Sequence, residues 1–404
     1  MTNCQNCGAE CKTIIDLGDQ VICNRFAASK EMLKKETKYP LRIVFCPSCY
    51  LVQQSVVLPT GLVFDENFNY LSGASKDAVK HFTALDEELI KELGTKPGEY
   101  IVAIGSNDGT ELLPFKLAGI NVIGVEPAPK PAKIANDNGL YTIVNEFENC
   151  TEEIDKRANG RIALITAFNV MAHTGSIHKF LENVAYILKK NPDAVFVNQG
   201  QYLPDIMEKV SFDTMYHEHN RFYTITSMQN LFSKHGMKIY DAKRTEYYGG
   251  SIIAYASVKE IPETERLKSI KESEEKYKRF ETYKDFAERA QSSKSKLLAL
   301  LEKAKSEGAV IVGAGAPMKS SVLLSYCGID DRLLDALTEL NHLKIGTYSP
   351  SGIKVYNELT YFKDHKIDYV LILSWNMKDT IISSLRNMGY NGKFIVPLPE
   401  PKVI

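Results

Sequence analysis

Apolar and polar positions along the chain change period several times, and each change marks an element. Residues 1–70 hold short strand-like apolar runs, LRIVFC and YLVQQSVVL, punctuated by Pro40 and Pro59. Residues 75–94 place apolar side chains at helical spacing, with Ser75 where an N-cap belongs, and predict a helix. YIVAIGSNDG predicts a strand running into a glycine-rich turn, and ELLPFKLAG a helix after it. INVIGVEPA predicts a second strand ending at Glu126, and LYTIV and IALITAFNV further strands with helical segments between them. Strands alternating with helices predict a doubly wound parallel sheet of the Rossmann class.

Residues 260–307 carry 12 basic and 11 acidic side chains around Leu267, Ile270, Tyr277, Phe280, Leu297, Leu301 and Ala304 at helical spacing. This is the pattern of a long amphipathic connector with a solvated face, and no chemistry is assigned to it. The strand, glycine turn and helix pattern then restarts in GAVIVGAGAPMKSSVLLSY, followed by RLLDALTEL, a Gly/Ser/Pro-rich stretch at 346–352, and DYVLILSW. The expected plan is α/β throughout: a cysteine module at 1–72, a Rossmann-like domain at 73–260, a helical connector at 261–307 and a second Rossmann-like α/β domain at 308–404.

Composition narrows the classes. The 404 residues are 44% hydrophobic and 25% charged, ordinary for a globular chain and enough for several cores. Forty-nine basic and fifty acidic residues give a net charge of −1, without the basic stripe a nucleic-acid binder needs. No apolar run approaches the ~18 residues of a membrane span, and MTNCQNCGAECK lacks the form of a secretory leader. The expectation is a cytoplasmic protein with small-molecule ligands, no nucleic acid or membrane partner, and a monomeric or weakly oligomeric state.

Four of the eight cysteines, Cys4, Cys7, Cys46 and Cys49, form CQNC and CPSC pairs 38 residues apart. Two such knuckles predict a closed tetrahedral zinc site, structural because no coordination position stays open. Four buried thiols or a redox pair are the alternatives. Loss of the metal is expected to unfold this module before it touches any chemistry. Cys11, Cys23, Cys150 and Cys327 have no partner in the pattern.

Gly105-Ser106-Asn107-Asp108-Gly109 lies where a strand feeds a helix, and glycines there permit close approach of a ligand. Glu126, about twenty positions on, can accept bonds from both hydroxyls of a ribose, so the pair predicts nucleoside binding. Any α/β protein also has a glycine turn after a strand. The second turn, Gly313-Ala314-Gly315-Ala316-Pro317-Met318-Lys319, lacks a third glycine and reads as a packing turn rather than a second cofactor site.

The run Tyr216-His217-Glu218-His219 is the most unusual segment. Its spacing does not bring both imidazoles to one helix face, so it is not a zinc-protease motif. A general base positioned by a carboxylate fits it, as does a loop whose polar groups satisfy one another. His173 follows the predicted fourth strand, where α/β enzymes place ligand contacts, and Tyr247-Tyr248-Gly249-Gly250-Ser251 offers a turn for backbone contacts.

With these residues in view, the chain resembles the zinc-containing S-adenosylmethionine-dependent sugar C-methyltransferases that act on nucleotide-linked 4-keto-deoxysugars. The resemblance spans almost the whole length. It rests on the cysteine pairs, FNYLSGAS, IGSNDGT, GVEPA, FNVMAHT, YHEH, GGS and YCGI in this order. It implies S-adenosylmethionine at Gly105, Asn107, Asp108, Glu126 and Asn169, and a sugar surrounded by Tyr70, His173, Tyr216, Glu218 and His219. It also implies a C-terminal domain that helps hold the sugar nucleotide, and it selects His219 over His217 as the base.

The chain departs from the family pattern at several points. Ala103 stands where an acid is usual, Tyr248 where H-G-G-S is frequent, VNQGQYL where EVPYL is usual, and AGAPMKSS in place of an A-K-G-N-like turn. The first bears on cofactor affinity and the others imply a changed substrate. The expected reaction is removal of a proton next to a ketone and transfer of methyl to the carbon. The rivals are an enolate-forming epimerase without methyl transfer, a non-catalytic zinc-containing binding protein, and an NAD-dependent oxidoreductase, which the missing third glycine disfavours.

Overall fold

The computed structural model describes residues 2–63 and 70–404; Phe68 and Asn69 of the FNYLSGAS segment lie outside these residues. Among the described residues the strands form three sheets. The first is antiparallel, built from β1 (Lys12–Val21), β2 (Lys38–Phe45) and β3 (Val52–Gln54). A strand from far along the chain, β9 (Arg221–Phe222), closes its edge, with Val52 opposite Phe222 and Gln53 opposite Arg221.

The second sheet holds seven strands. β4 (Tyr100–Ile104), β5 (Asn121–Val125), β6 (Thr142–Ile143), β7 (Ile162–Phe168) and β8 (Val195–Gln201) are parallel. β10 (Lys238–Thr245) and β11 (Ser251–Ser257) add antiparallel at one edge, in the order β10-β11-β8-β7-β4-β5-β6. The sheet is therefore mixed rather than wholly parallel. Only residues 246–250 join β10 to β11, and a parallel connection needs a crossover of a dozen residues or more.

Helices cover both faces. The helix Lys76–Leu93, capped by the Ser75 side chain on the Ala78 N–H, buries Phe82, Leu85 and Leu89 against Ile101, Leu164 and Val197. The helix Ile177–Lys190 buries Phe180, Val184 and Leu188 on the opposite face, with Val102, Ile123 and Ile165. Chain order reverses between β4 and β7, so their C-terminal ends diverge and leave a crevice there.

The third sheet repeats the parallel plan with β12 (Ile311–Ala314), β13 (Ala336–Glu339), β14 (Val355–Asn357), β15 (Tyr369–Ile372) and β16 (Lys393–Val396). An antiparallel β17 (Lys402–Val403) ends it. Between the sheets runs the helix Phe280–Ser306, whose buried Tyr283, Phe286, Leu297 and Leu301 join a core shared with β1, β2 and the third sheet. Tyr283 lies 4.5 Å from Phe45, ring centre to ring centre. No helix among the described residues is long and apolar enough to cross a membrane.

The connector also holds a buried acid, Glu274. Its carboxylate accepts from the Ile225 N–H (2.7 Å), the Thr226 N–H (2.8 Å), the Thr226 hydroxyl (2.7 Å) and the Tyr202 hydroxyl (2.7 Å). Four donors satisfy one buried charge, and two of them are orphan N–H groups at the start of the helix Ile225–Ser233. Replacing Glu274 by Ala strands these donors in the core. Glu274→Ala is expected to lower stability by about 3 kcal/mol; a denaturant midpoint equal to that of the unaltered protein would show the cap to be dispensable.

Candidate active site

The four thiols of the cysteine knuckles converge. Cys4 and Cys49 Sγ are 3.5 Å apart, Cys7 and Cys46 Sγ 3.4 Å, and all four lie within 4.8 Å of one another. A zinc tetrahedron with bonds of about 2.3 Å has edges of about 3.8 Å, so the donor set and its size both suit zinc. The separations are far longer than a disulfide, and the cysteines are free thiols. A closed four-sulfur site is structural.

What this module holds lies at its far edge. Beyond the β3–β9 pairing, the Gln54 Nε2 donates to the Tyr216 carbonyl (2.6 Å) and the His219 carbonyl (2.8 Å). The Gln54 N–H donates to the Asn220 carbonyl (2.9 Å). The Tyr-His-Glu-His run is thus pinned from the cysteine module. From the other side, the buried Arg221 guanidinium donates to the Thr174 carbonyl (2.7 Å) and the Gly175 carbonyl (2.9 Å), and the Asn220 N–H to the Ala172 carbonyl (2.8 Å). These bonds clasp the segment that bears His173 against the run that bears His219.

The two segments line one cleft of about 1220 Å³ at the C-terminal ends of β4, β5, β7 and β8. This exceeds the ~300–1000 Å³ usual for one small ligand and leaves room for two. One lobe is bordered by Gly105, Asn107, Glu126, Phe147 and Asn169, the other by His173, Tyr216, Glu218, His219 and Tyr248. A third wall comes from the C-terminal sheet, with Pro317, Lys319 and Trp375.

In the first lobe, Gly105 sits at φ 70°, and a Cβ there would lie 2.5 Å from the Val170 Cγ2, so only glycine fits. Glu126 Oε2 accepts from the Asn107 N–H (3.0 Å) and Oε1 from the Ala128 N–H (2.8 Å). Burial raises its pKa, while these two donors oppose the rise. Asn107, at φ 51°, uses its side chain to hold the Ser72 N–H (2.9 Å) and the Tyr70 carbonyl (3.1 Å). Asp108 accepts from the Gly73 N–H (2.9 Å) and the Thr110 hydroxyl (2.6 Å); it ties down the 72–75 turn and does not border the cleft. Ser106 Oγ, Asn198 Oδ1 and Gln199 Nε2 are buried at the cleft without a protein partner, as suits walls built to meet a polar ligand.

In the second lobe, His219 Nδ1 is 2.7 Å from the Thr214 carbonyl and His173 Nδ1 is 2.9 Å from the Glu218 carbonyl. A carbonyl can only accept, so each Nδ1 carries the proton and each Nε2 keeps its lone pair. The two rings lie 4.9 Å apart, and Tyr216 packs 4.1 Å from His219. Burial, helped by His173, pushes His219 down to about 3, and burial pushes His173 down to about 4. Burial pushes Glu218 up to about 7, against the lowering effects of the Cys23 thiol and Lys344. His217 points elsewhere, its Nε2 3.3 Å from the Tyr39 carbonyl, and does not border the cleft. Tyr70 and Tyr248 meet hydroxyl to hydroxyl at the rim. Gly250, at φ 130°, faces Asp205, where a Cβ would come within 2.2 Å of the carboxylate carbon.

The third wall carries residues the sequence reading did not single out. Asp213 Oδ2 accepts from the Trp375 Nε1–H (2.7 Å), and Lys319 Nζ lies 3.7 Å from the same oxygen and 4.3 Å from the centre of the Trp375 ring. Burial raises the Asp213 pKa and lowers that of Lys319. The second glycine turn, read as packing, brings Pro317, Met318 and Lys319 to the cleft. Its only forward sign was a lysine at the start of a helix.

Comparison with known proteins matches residues 4–64 to a zinc binding domain family, 79–242 to a methyltransferase domain family and 246–399 to a C-methyltransferase C-terminal domain family. The chain is 30% identical over 416 residues to the C-methyltransferase NovU of Streptomyces niveus, covering 99% of this chain and 96% of that one. Among solved structures, the PH0226 protein of Pyrococcus horikoshii aligns at TM-score 0.39 and 13% identity, over 49% of this chain and 98% of its own. The magnesium protoporphyrin IX methyltransferase of Synechocystis, with bound SAM, aligns at TM-score 0.33 and 13% identity, over 44% and 78%.

The zinc site and the cleft meet through β3 and Gln54, which alters the expectation that metal loss spares the chemistry. Protein purified without chelator is expected to carry one zinc per chain, and a ratio well below one contradicts the site. As the metal is stripped, emission from Trp375, the one tryptophan, is expected to shift with it. Metal loss with unchanged emission would show the module to be uncoupled from the cleft.

Proposed function

The chain belongs to the zinc-containing S-adenosylmethionine-dependent C-methyltransferase family, and from that premise we propose that it methylates a carbon next to the ketone of a nucleotide-linked 4-keto-deoxysugar. The observation that carries this reading is the lone-pair Nε2 of His219 in a cleft with room for two ligands. S-adenosylmethionine, when bound, supplies an electrophilic methyl group for the substrate carbon that has lost its proton. Gly105, Asn107, Glu126 and Asn169 would border it, with the Glu126 carboxylate on the ribose hydroxyls. Asp108 acts at one remove, by holding the 72–75 turn.

In the second lobe, His219 Nε2 takes the proton from the carbon, and the electron pair left behind delocalises onto the ketone oxygen. The phenol of Tyr216, kept protonated by burial and by the nearby Glu218, is a donor for that oxygen. Tyr70 and Tyr248 close the rim over the sugar, and Lys319 on the third wall suits the phosphates of a nucleotide.

One observation favours a second assignment of the base. Glu218 sits near 7 and His219 near 3, and a base works best when its pKa lies close to the working pH. In that reading Glu218 removes the proton and His219 orients the oxygen. Both readings need an ionised Glu218, so activity is expected to fall as pH drops through about 7.

Two measurements check the proposal. Glu126→Ala removes hydrogen bonds to the ribose and is expected to weaken S-adenosylmethionine binding by about 1–3 kcal/mol in calorimetry; unaltered affinity refutes the assignment. His219→Asn is expected to lose about 10²–10⁴-fold in turnover of a nucleotide 4-ketosugar, with wash-out of its α-deuterium lost in parallel, while His217→Asn stays active. Loss in Glu218→Gln with His219→Asn still exchanging transfers the base to Glu218. Exchange untouched in all three removes proton abstraction from this run.

A further inference from the structure

The carboxylate of Glu218 is buried where the three parts of the chain meet. From the cysteine module comes Cys23, two residues beyond the end of β1, with its Sγ 3.4 Å from Glu218 Oε1. The thiol is 1% exposed, and burial together with the Glu218 charge pushes its pKa well up, so it stays protonated. A protonated thiol beside a carboxylate is a donor, and donation to the charged form favours that form.

The segment that carries Cys23 is strapped to the C-terminal domain. The Ala27 N–H donates to the Tyr348 carbonyl (3.0 Å) and the Tyr348 N–H to the Ala27 carbonyl (2.8 Å). The loop bound in this way carries Lys344, whose ammonium donates to the Ala316 carbonyl (2.8 Å) and lies 4.8 Å from the centre of the Phe26 ring. The titratable groups facing Glu218 are Cys23 from the first sheet's segment, Lys344 from the third sheet's loop and Tyr216 from its own run. Cys23 and Lys344 lower its pKa against the burial that raises it.

We propose that Cys23 is a positioning residue for Glu218: its S–H fixes Oε1 and holds the carboxylate in its ionised form, so that the metal module sets the charge state of a group in the reactive lobe. The proposal rests on the placing of Glu218 in that lobe under the reading above. It requires no redox change at the thiol, only a donor at that position.

The test reads Glu218 directly. Full-length protein with 13Cδ-labelled glutamate is titrated by NMR, and the Glu218 signal is identified by its absence in Glu218→Gln. In Cys23→Ala, with its zinc content verified at one per chain, the Glu218 midpoint is expected to move up by about half to one pH unit. In Cys23→Ser, which retains a donor, the midpoint is expected to return toward that of the unaltered protein. With a substrate in hand, the acid limb of the kcat/KM profile should move by the same amount. A midpoint unchanged in Cys23→Ala overturns the proposal. So does a Cys23→Ser variant shifted as far as Cys23→Ala, since packing rather than donation would then set the value. If no nucleotide 4-ketosugar is turned over, the proposed function fails while the titration still decides the role of Cys23.

Discussion

The structure depends on a two-residue β pairing at the edge of the metal-binding module. β3 has only three residues, and the first sheet would expose an unpaired edge without β9. The strand that satisfies it follows directly on the Tyr-His-Glu-His run. Closing the edge and fixing the run are therefore one event, reinforced by the Gln54 amide on two of the run's carbonyls. A segment with so little regular structure of its own would otherwise pay a large conformational entropy to hold a reactive geometry. The zinc tetrahedron holds the knuckles on either side of β1 and β2, the knuckles frame the sheet, and the sheet holds the loop.

The electrostatics of the cleft follow from the same burial. A water-poor pocket disfavours charge of either sign, so it drives imidazoles down and carboxyls up. His173 and His219 stay neutral with lone pairs available, while Glu218 is brought close to neutrality. The result is a set of groups whose ordinary order of basicity is inverted. The side chains that differ from the family pattern, Tyr248 above all, lie at the rim rather than among these groups.

Signals carried by local spacing were legible in the sequence. The cysteine knuckles, the Ser75 cap, the Gly105 turn with Glu126 and the restart of the α/β pattern all depend on neighbours within a few residues or one strand-turn-helix unit. β1 was harder to read, because its alternation breaks where Asp16, Gly18 and Asp19 shift the register against β2. The roles of Gln54, Cys23, Asp213, Lys319 and Trp375 depend on partners that approach only when separate sheets dock. No periodicity marks such residues. The edge strands β10 and β11 follow from a five-residue connection, a matter of loop length that composition does not display.

Glu274 bears on what can be exchanged between related chains. It lies past the end of the second sheet, in a stretch whose pattern reads as a connector, yet its carboxylate completes the helix at Ile225 and anchors Tyr202. The covalent boundary and the energetic boundary of that body therefore differ. A chain recombined just after β11 would leave the preceding half with orphaned donors in its core, whatever domain followed. The natural joint falls at Arg279, where the backbone turns extended before the long helix begins. From that point on, the C-terminal sheet with its Lys319 and Trp375 could be replaced as a cassette, giving lineages a new wall for the cleft while the clasped histidines stay as they are.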